Sequence, residues 1–69
     1  MENFSQRLKE IRKSKNITQK ELAKLLNMTE RNYQSWEGGK TKPGFDALIL
    51  LCDTLNVSAD YLLGRSDKP

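Results

Sequence analysis

The sequence predicts an all-α fold, a compact domain of five helices. Three observations carry this. Apolar residues recur three and four positions apart, the helical spacing, and the aromatic signals of strands are missing. Proline occurs only at Pro43 and Pro69, so none interrupts a periodic stretch. Start and stop residues of known chemistry bound the stretches.

The first helix is predicted over residues 3–14. Phe4, Leu8 and Ile11 follow the i, i+4, i+7 rule, and Arg7, Lys9, Glu10, Arg12 and Lys13 fill the other face. Ser14-Lys15-Asn16 breaks the pattern. Thr18-Gln19-Lys20-Glu21 then has the form of a capping box: Thr18 accepts from the Glu21 amide, and Glu21 reaches back to the Thr18 amide. The second helix carries Leu22, Ala23, Leu25 and Leu26. It stops at Asn27, a residue type that tolerates the left-handed conformation. Thr29 caps the third helix, with Glu30 placed favourably in its first turn. Its apolar members are Tyr33 and Trp36, and Gly38-Gly39 ends it. Lys40 to Gly44 forms a basic loop. A fourth stripe of Phe45, Leu48, Ile49, Cys52 and Leu55, thickened by Leu50 and Leu51, closes at Asn56. Ser58 caps a short fifth helix with Tyr61, Leu62 and Leu63, ended by Gly64. Arg65 to Pro69 reads as a polar tail or the start of a linker, which sets the domain at residues 1–64.

Composition excludes much chemistry. A chain of 69 residues is one domain. With no His and a single Cys it can form neither an internal disulfide nor a zinc site. Ser–His and Cys–His nucleophile pairs are equally excluded. A carboxylate-only active site needs a cleft that so small a chain can hardly build. The expectation is therefore no enzyme, no metal and no cofactor. The longest apolar run, Ala47 to Cys52, is too short to cross a bilayer, and the polar start carries no secretory signal. A cytoplasmic binding module is the expected class. Charge is uneven. Residues 1–42 carry ten basic and five acidic side chains, and residues 43–69 carry two and four. That asymmetry suits an anionic partner for the first part, although an ordinary solvated surface accounts for it equally well.

The informative feature is the pair of helices around Asn27. A connection of about three residues forces the two helices to cross steeply, as in a helix-turn-helix. Ala23 sits where they approach most closely. Gln19-Lys20-Glu21-Leu22-Ala23, then Leu26-Asn27-Met28-Thr29, then Trp36-Glu37-Gly38-Gly39-Lys40-Thr41-Lys42-Pro43 resembles the phage-repressor/Cro helix-turn-helix family, the XRE family of bacterial regulators. The resemblance covers about residues 4–64, continuing through Leu55-Asn56-Val57-Ser58 and Tyr61-Leu62-Leu63-Gly64. It implies a lambda-repressor-like DNA-binding fold with the helix-turn-helix at helices 2 and 3. Two positions depart from the family pattern. Asn27 stands where Gly is usual, and Tyr33 where Ile or Val is usual; the Tyr33 hydroxyl then needs a polar partner or the surface.

The resemblance implies that helix 3 enters the DNA major groove. With Tyr33 and Trp36 inward, helical geometry turns Glu30, Arg31, Gln34 and Ser35 outward. Arg31 suits guanine, Gln34 adenine, and Glu30 the cytosine amino group. In the family, the positions matching Glu30, Arg31 and Ser35 are the usual base readers. Gln19 matches its phosphate-clamping position, where the helix start adds amides. Thr29, Asn32 and the loop residues Lys40, Thr41 and Lys42 are further candidates for phosphate contact, which fixes register without reading sequence. The family also often pairs a basic residue on helix 1 with the acidic residue after helix 3, which here are Arg12 and Glu37. Each of these side chains could instead be an ordinary solvated one. Cys52 repeats at core spacing and reads as a buried, inert thiol.

The expected function is a sequence-specific double-stranded DNA-binding transcriptional regulator, a repressor of phage or mobile-element type. It would bind a palindromic operator as a homodimer with half-sites about one helical turn apart. Val57, Leu50, Leu51, Leu62 and Leu63 are candidates for an association patch or for ordinary core. Rival readings are an antitoxin or other protein-interaction module, and the N-terminal domain of a longer repressor.

Overall fold

The computed structural model describes residues 4–69, which form five helices and no strand. These are α1 (Phe4–Ser14), α2 (Gln19–Leu25), α3 (Glu30–Glu37), α4 (Phe45–Leu55) and α5 (Ala59–Leu62). The predicted start of α1 at residue 3 lies outside the described residues. One core joins them: Leu8, Leu22, Tyr33, Leu51, Leu55 and Leu62 are its fully buried members. α2 packs on α3, α1 on α3 and α5, and α4 on α5.

The helix boundaries follow from local chemistry. Thr18, Thr29 and Ser58 each sit in extended backbone and accept from the amide three residues on. Both arms of the Thr18–Glu21 capping box form, and these bonds hold the Glu21 carboxyl below its ordinary range. At the other end, all five helices stop by one device. The residues Asn16, Asn27, Gly39, Asn56 and Gly64 have φ between 56° and 81°. In each case the amide after that residue bonds a carbonyl five positions back, as Met28 does to Ala23 at 3.0 Å and Val57 does to Cys52 at 3.0 Å. This is the Schellman closure, in which a left-handed residue lets orphan carbonyls find donors.

Asn27 is where this matters most, because it sets the bend between α2 and α3. Replacing Asn27 by alanine should cost about 1–2 kcal/mol, the strain of a left-handed residue whose side chain cannot bond locally. Asn27→Gly should stay near wild type. Parallel urea melts check this, and an alanine variant as stable as the glycine one would show that the left-handed turn is not held in solution.

Three expectations need correction. The stripe of α4 is rotated. Phe45 is 88% and Ile49 60% exposed, while Leu51, Cys52 and Leu55 are buried and Leu48 half-buried. Both stripes satisfy i, i+3, i+4, i+7 spacing within the same apolar run, and packing into the shared core selects the second. Arg7 and Arg12 lie on the buried side of α1, not on its charged face. Among the candidates for an association patch, Leu51, Val57 and Leu62 are core, and only Leu50 and Leu63 are exposed.

Residues 65–69 fold back on the helices. The Arg65 and Ser66 amides bond the Asp60 carbonyl, and the Ser58 amide bonds the Pro69 carbonyl at 3.1 Å. Arg7, 7% exposed, lies under this segment. Its guanidinium donates to the carbonyls of Tyr61 and Ser66, pairs with Asp67 at 2.9 Å, and stacks over the Tyr61 ring. A charge so buried is tolerable because its donors are matched.

Candidate nucleic-acid interface

The site is built on α3. Thr29 fixes its start by accepting from the Asn32 amide at 3.1 Å. Tyr33 and Trp36 turn inward and meet edge to face, ring centroids 6.0 Å apart. Their burial sets the rotation of the helix. Glu30, Arg31, Asn32 and Gln34 are consequently exposed and Ser35 half-buried. Arg31, Gln34 and Ser35 line a shallow groove of about 210 Å³ that ends at Gly38 and Lys40. Lys40, Thr41 and Lys42 are exposed. The amides of Lys40 and Thr41 both bond the Ser35 carbonyl, at 3.0 and 3.3 Å, which ties this basic loop to the end of α3.

Beneath the surface lies a buried polar hub. The Glu37 side chain is 4% exposed and accepts four hydrogen bonds. Arg12 donates Nε to Oε2 at 2.6 Å and Nη2 to Oε1 at 3.3 Å. The Tyr33 hydroxyl donates to Oε2, and Gln19 Nε2 to Oε1 at 2.9 Å. Arg12 spends a further donor on the Ile17 carbonyl at 2.7 Å. The pairing of Arg12 with Glu37, expected from the family resemblance, is thus present in the fold. Burial works against the Glu37 carboxylate, but the bonds from Arg12, Tyr33 and Gln19 outweigh it and hold its carboxyl below the ordinary range. The bond to Glu37 raises the Arg12 guanidinium still higher against its own burial. Burial, with the neighbouring Glu37, keeps the Tyr33 hydroxyl protonated and donating.

The hub reaches the surface through Gln19. Because a carboxylate only accepts, Glu37 fixes which end of the Gln19 amide faces inward. The Gln19 carbonyl oxygen then takes a hydrogen bond from Gln34 Nε2 at 3.3 Å, and Gln34 also approaches Glu30 Oε2 at 3.4 Å. The result is one chain of contacts from Arg12 on α1, through Glu37 and Gln19, to Gln34 and Glu30 on the outward face. Gln19 keeps one amide hydrogen for an outside acceptor. Ser35 bonds back to the Arg31 carbonyl at 3.3 Å, so its hydroxyl is oriented as well.

Sequence reasoning did not foresee that Tyr33 and Gln19 share the Glu37 carboxylate. Tyr33 and Glu37 are four apart on one helix, which was the available signal. It also did not foresee the Arg7 clasp. Cys52 is buried, and burial followed by the adjacent Asp53 pushes its thiol up, the state of an unreactive sulfur. Among the described residues no acidic or sulfur cluster could hold a metal ion, and no helix is long and apolar enough to cross a membrane.

A helix pair joined by a short turn through the left-handed Asn27, a polar outward helix face and a basic loop beside it define a helix-turn-helix domain of the phage-repressor type. The chain belongs to the helix-turn-helix family, XRE type, whose model matches residues 8–62. It is 40% identical over 65 residues to the HTH-type transcriptional regulator ImmR of Bacillus subtilis, covering 94% of this chain and 51% of ImmR. It is 33% identical over 62 residues to the cryptic phage CTXphi transcriptional repressor RstR of Vibrio cholerae, covering 90% of this chain and 55% of RstR. The chain thus spans little more than half the length of these curated relatives. Its fold matches the P22 c2 repressor, solved with a synthetic operator, at a TM-score of 0.88 and 29% identity, covering 96% of this chain and all of that one.

Proposed function

We propose that this chain is the DNA-binding unit of a transcriptional regulator, a repressor of phage type, that reads the major groove of double-stranded DNA with α3. The observation that carries this is the outward face of α3. Glu30, Arg31, Gln34 and Ser35 stand on a helix whose rotation is fixed by Tyr33 and Trp36, and Gln34 is tied through Gln19 to a buried hub. Similarity to a repressor solved on its operator supports the same reading. Arg31, Glu30 and Gln34 have the donors and acceptors that base edges require. Gln19, Thr29, Asn32, Lys40, Thr41 and Lys42 surround that face and take phosphates.

One α3 reads only a few base pairs, so useful affinity calls for two copies on a two-fold operator. Selection from a random duplex library at physiological salt tests the proposal. Enrichment of a two-fold symmetric site is expected. Salt-sensitive binding without enrichment would remove the sequence-reading part. No binding at low salt would overturn the whole reading.

A further inference from the structure

The hydrogen bonds behind Gln34 run in one direction. The oxygens of the Glu37 carboxylate only accept, so Gln19 turns its amide nitrogen toward them, Nε2 to Oε1 at 2.9 Å. The Gln19 carbonyl oxygen is thereby left facing α3, where it accepts from Gln34 Nε2 at 3.3 Å. The second Gln34 amide hydrogen faces Glu30 Oε2 at 3.4 Å. Both donors of the Gln34 side chain are engaged, and among the described residues nothing donates to its carbonyl oxygen. We propose that Gln34 meets DNA as a hydrogen-bond acceptor only, taking the exocyclic amino group of adenine or cytosine, and that Gln19 is the positioning residue that sets this polarity. The inference rests on the DNA-binding reading above and deepens it. An untethered glutamine contacts both N6 and N7 of adenine, whereas this one makes a single contact that ignores N7.

The opposite orientation of Gln34 is opposed at two levels. Turning its amide over sets its carbonyl oxygen against the Gln19 oxygen and the Glu30 carboxylate, three acceptors with no hydrogen among them. Turning Gln19 over as well relieves one clash but sets the Gln19 oxygen against Glu37. Glu37 cannot yield. Its side chain is 4% exposed, and Arg12 and the Tyr33 hydroxyl hold it in place as a carboxylate. Acceptors forced together at a buried site cost more than at the surface. The polarity is therefore decided in the interior and carried outward through two amides.

The consequence falls on the reading face. Gln34 and Glu30 are both exposed and lie one helical turn apart. Glu30, a carboxylate, also presents only acceptors, and the exposed Arg31 presents only donors. Donor and acceptor positions on α3 are thus segregated. The N7 and O6 of guanine and the O4 of thymine are acceptors, so Gln34 refuses them and Arg31 suits them.

The test uses base analogues in the selected duplex. Gln34→Ala first identifies the base pair whose preference it relaxes. At that pair, one analogue replaces the purine N7 by carbon. A second removes the amino group, as unsubstituted purine for adenine or a pyrimidinone for cytosine. Loss of the amino group should weaken wild-type binding by about 3- to 10-fold, and loss of N7 should leave it unchanged. The amino-group effect should vanish in Gln34→Ala, which separates the contact from any weakening of the duplex itself. Gln19→Ala frees a Gln34 hydrogen to donate. Discrimination at this one pair should then fall several-fold, while the other pairs keep their preference. Circular-dichroism melts check that both variants are folded. Weaker wild-type binding on loss of N7 would show Gln34 donating and overturn the proposal, as would a Gln34→Ala variant that relaxes no base pair. Unchanged discrimination in Gln19→Ala would remove Gln19 as the positioning residue. If wild type enriches no site from random duplexes, the sequence-reading function fails, and the proposal with it.

Discussion

Replacing Glu37 by alanine should cost about 3–5 kcal/mol, because it strands the Arg12 guanidinium in the interior with only the Ile17 carbonyl for company. For a domain of this size each kcal/mol moves the melting temperature by about 4–8 °C, so a fall of roughly 12 °C or more is expected. The total stability of so small a domain is itself only roughly 3–10 kcal/mol. Glu37→Ala should therefore be partly unfolded at room temperature. The joint change of Arg12→Met with Glu37→Leu should be milder than Glu37→Ala, since it removes both charges and leaves none uncompensated. Circular-dichroism melts compare the three, and an unchanged melting temperature in Glu37→Ala would remove the hub from the account. The same group sets an acid limit. Its folded pKa is depressed, so its contribution is complete above the ordinary carboxylate range and is lost as pH falls through the folded value. Wild type should lose stability in that acid window more steeply than Glu37→Gln, which has no carboxyl at this position to protonate.

Arg31→Ala should weaken binding to the selected site by about 1–3 kcal/mol and relax preference at one base pair, with little change in salt slope. Lys40→Ala should do the reverse, weakening all sequences alike and flattening the slope by about one unit. The two variants differ because a bidentate contact to a base edge discriminates between sequences, whereas a contact to phosphate does not. Affinity titrations on the selected duplex and on single-base variants of it separate these outcomes. A uniform loss from Arg31→Ala would place the base-reading face elsewhere on α3.

Much of this was legible from residue types alone. Thr18, Thr29 and Ser58 are caps, and Asn27, Asn56 and Gly64 are stops, because capping is decided within a few residues of the helix end. Tyr33 and Trp36 fixed the outward face for the same reason: two inward side chains three apart leave little choice of rotation. The stripe of α4 was not legible. An apolar run as dense as Ala47–Cys52 fits two helical phases, and only packing into the shared core chooses. The burial of Arg7 was hidden too, since a guanidinium reads as solvent-facing until its partners at Tyr61, Ser66 and Asp67 are known. The partners of Glu37 divide along the same line. Arg12 came from family resemblance, whereas Gln19 is 18 residues away in sequence and joins only through the tertiary fold.

The chain of contacts ending at Gln34 stops short of Arg31, whose side chain has no hydrogen-bond or ion-pair partner among the described residues. Arg31 is thus decoupled from the scaffold while its neighbour is wired into it. A change at Arg31 can alter the sequence recognised without disturbing the fold, and a change at Gln34 disturbs Gln19 as well. Divergence of binding preference, by selection or by engineering, has its unobstructed route through Arg31.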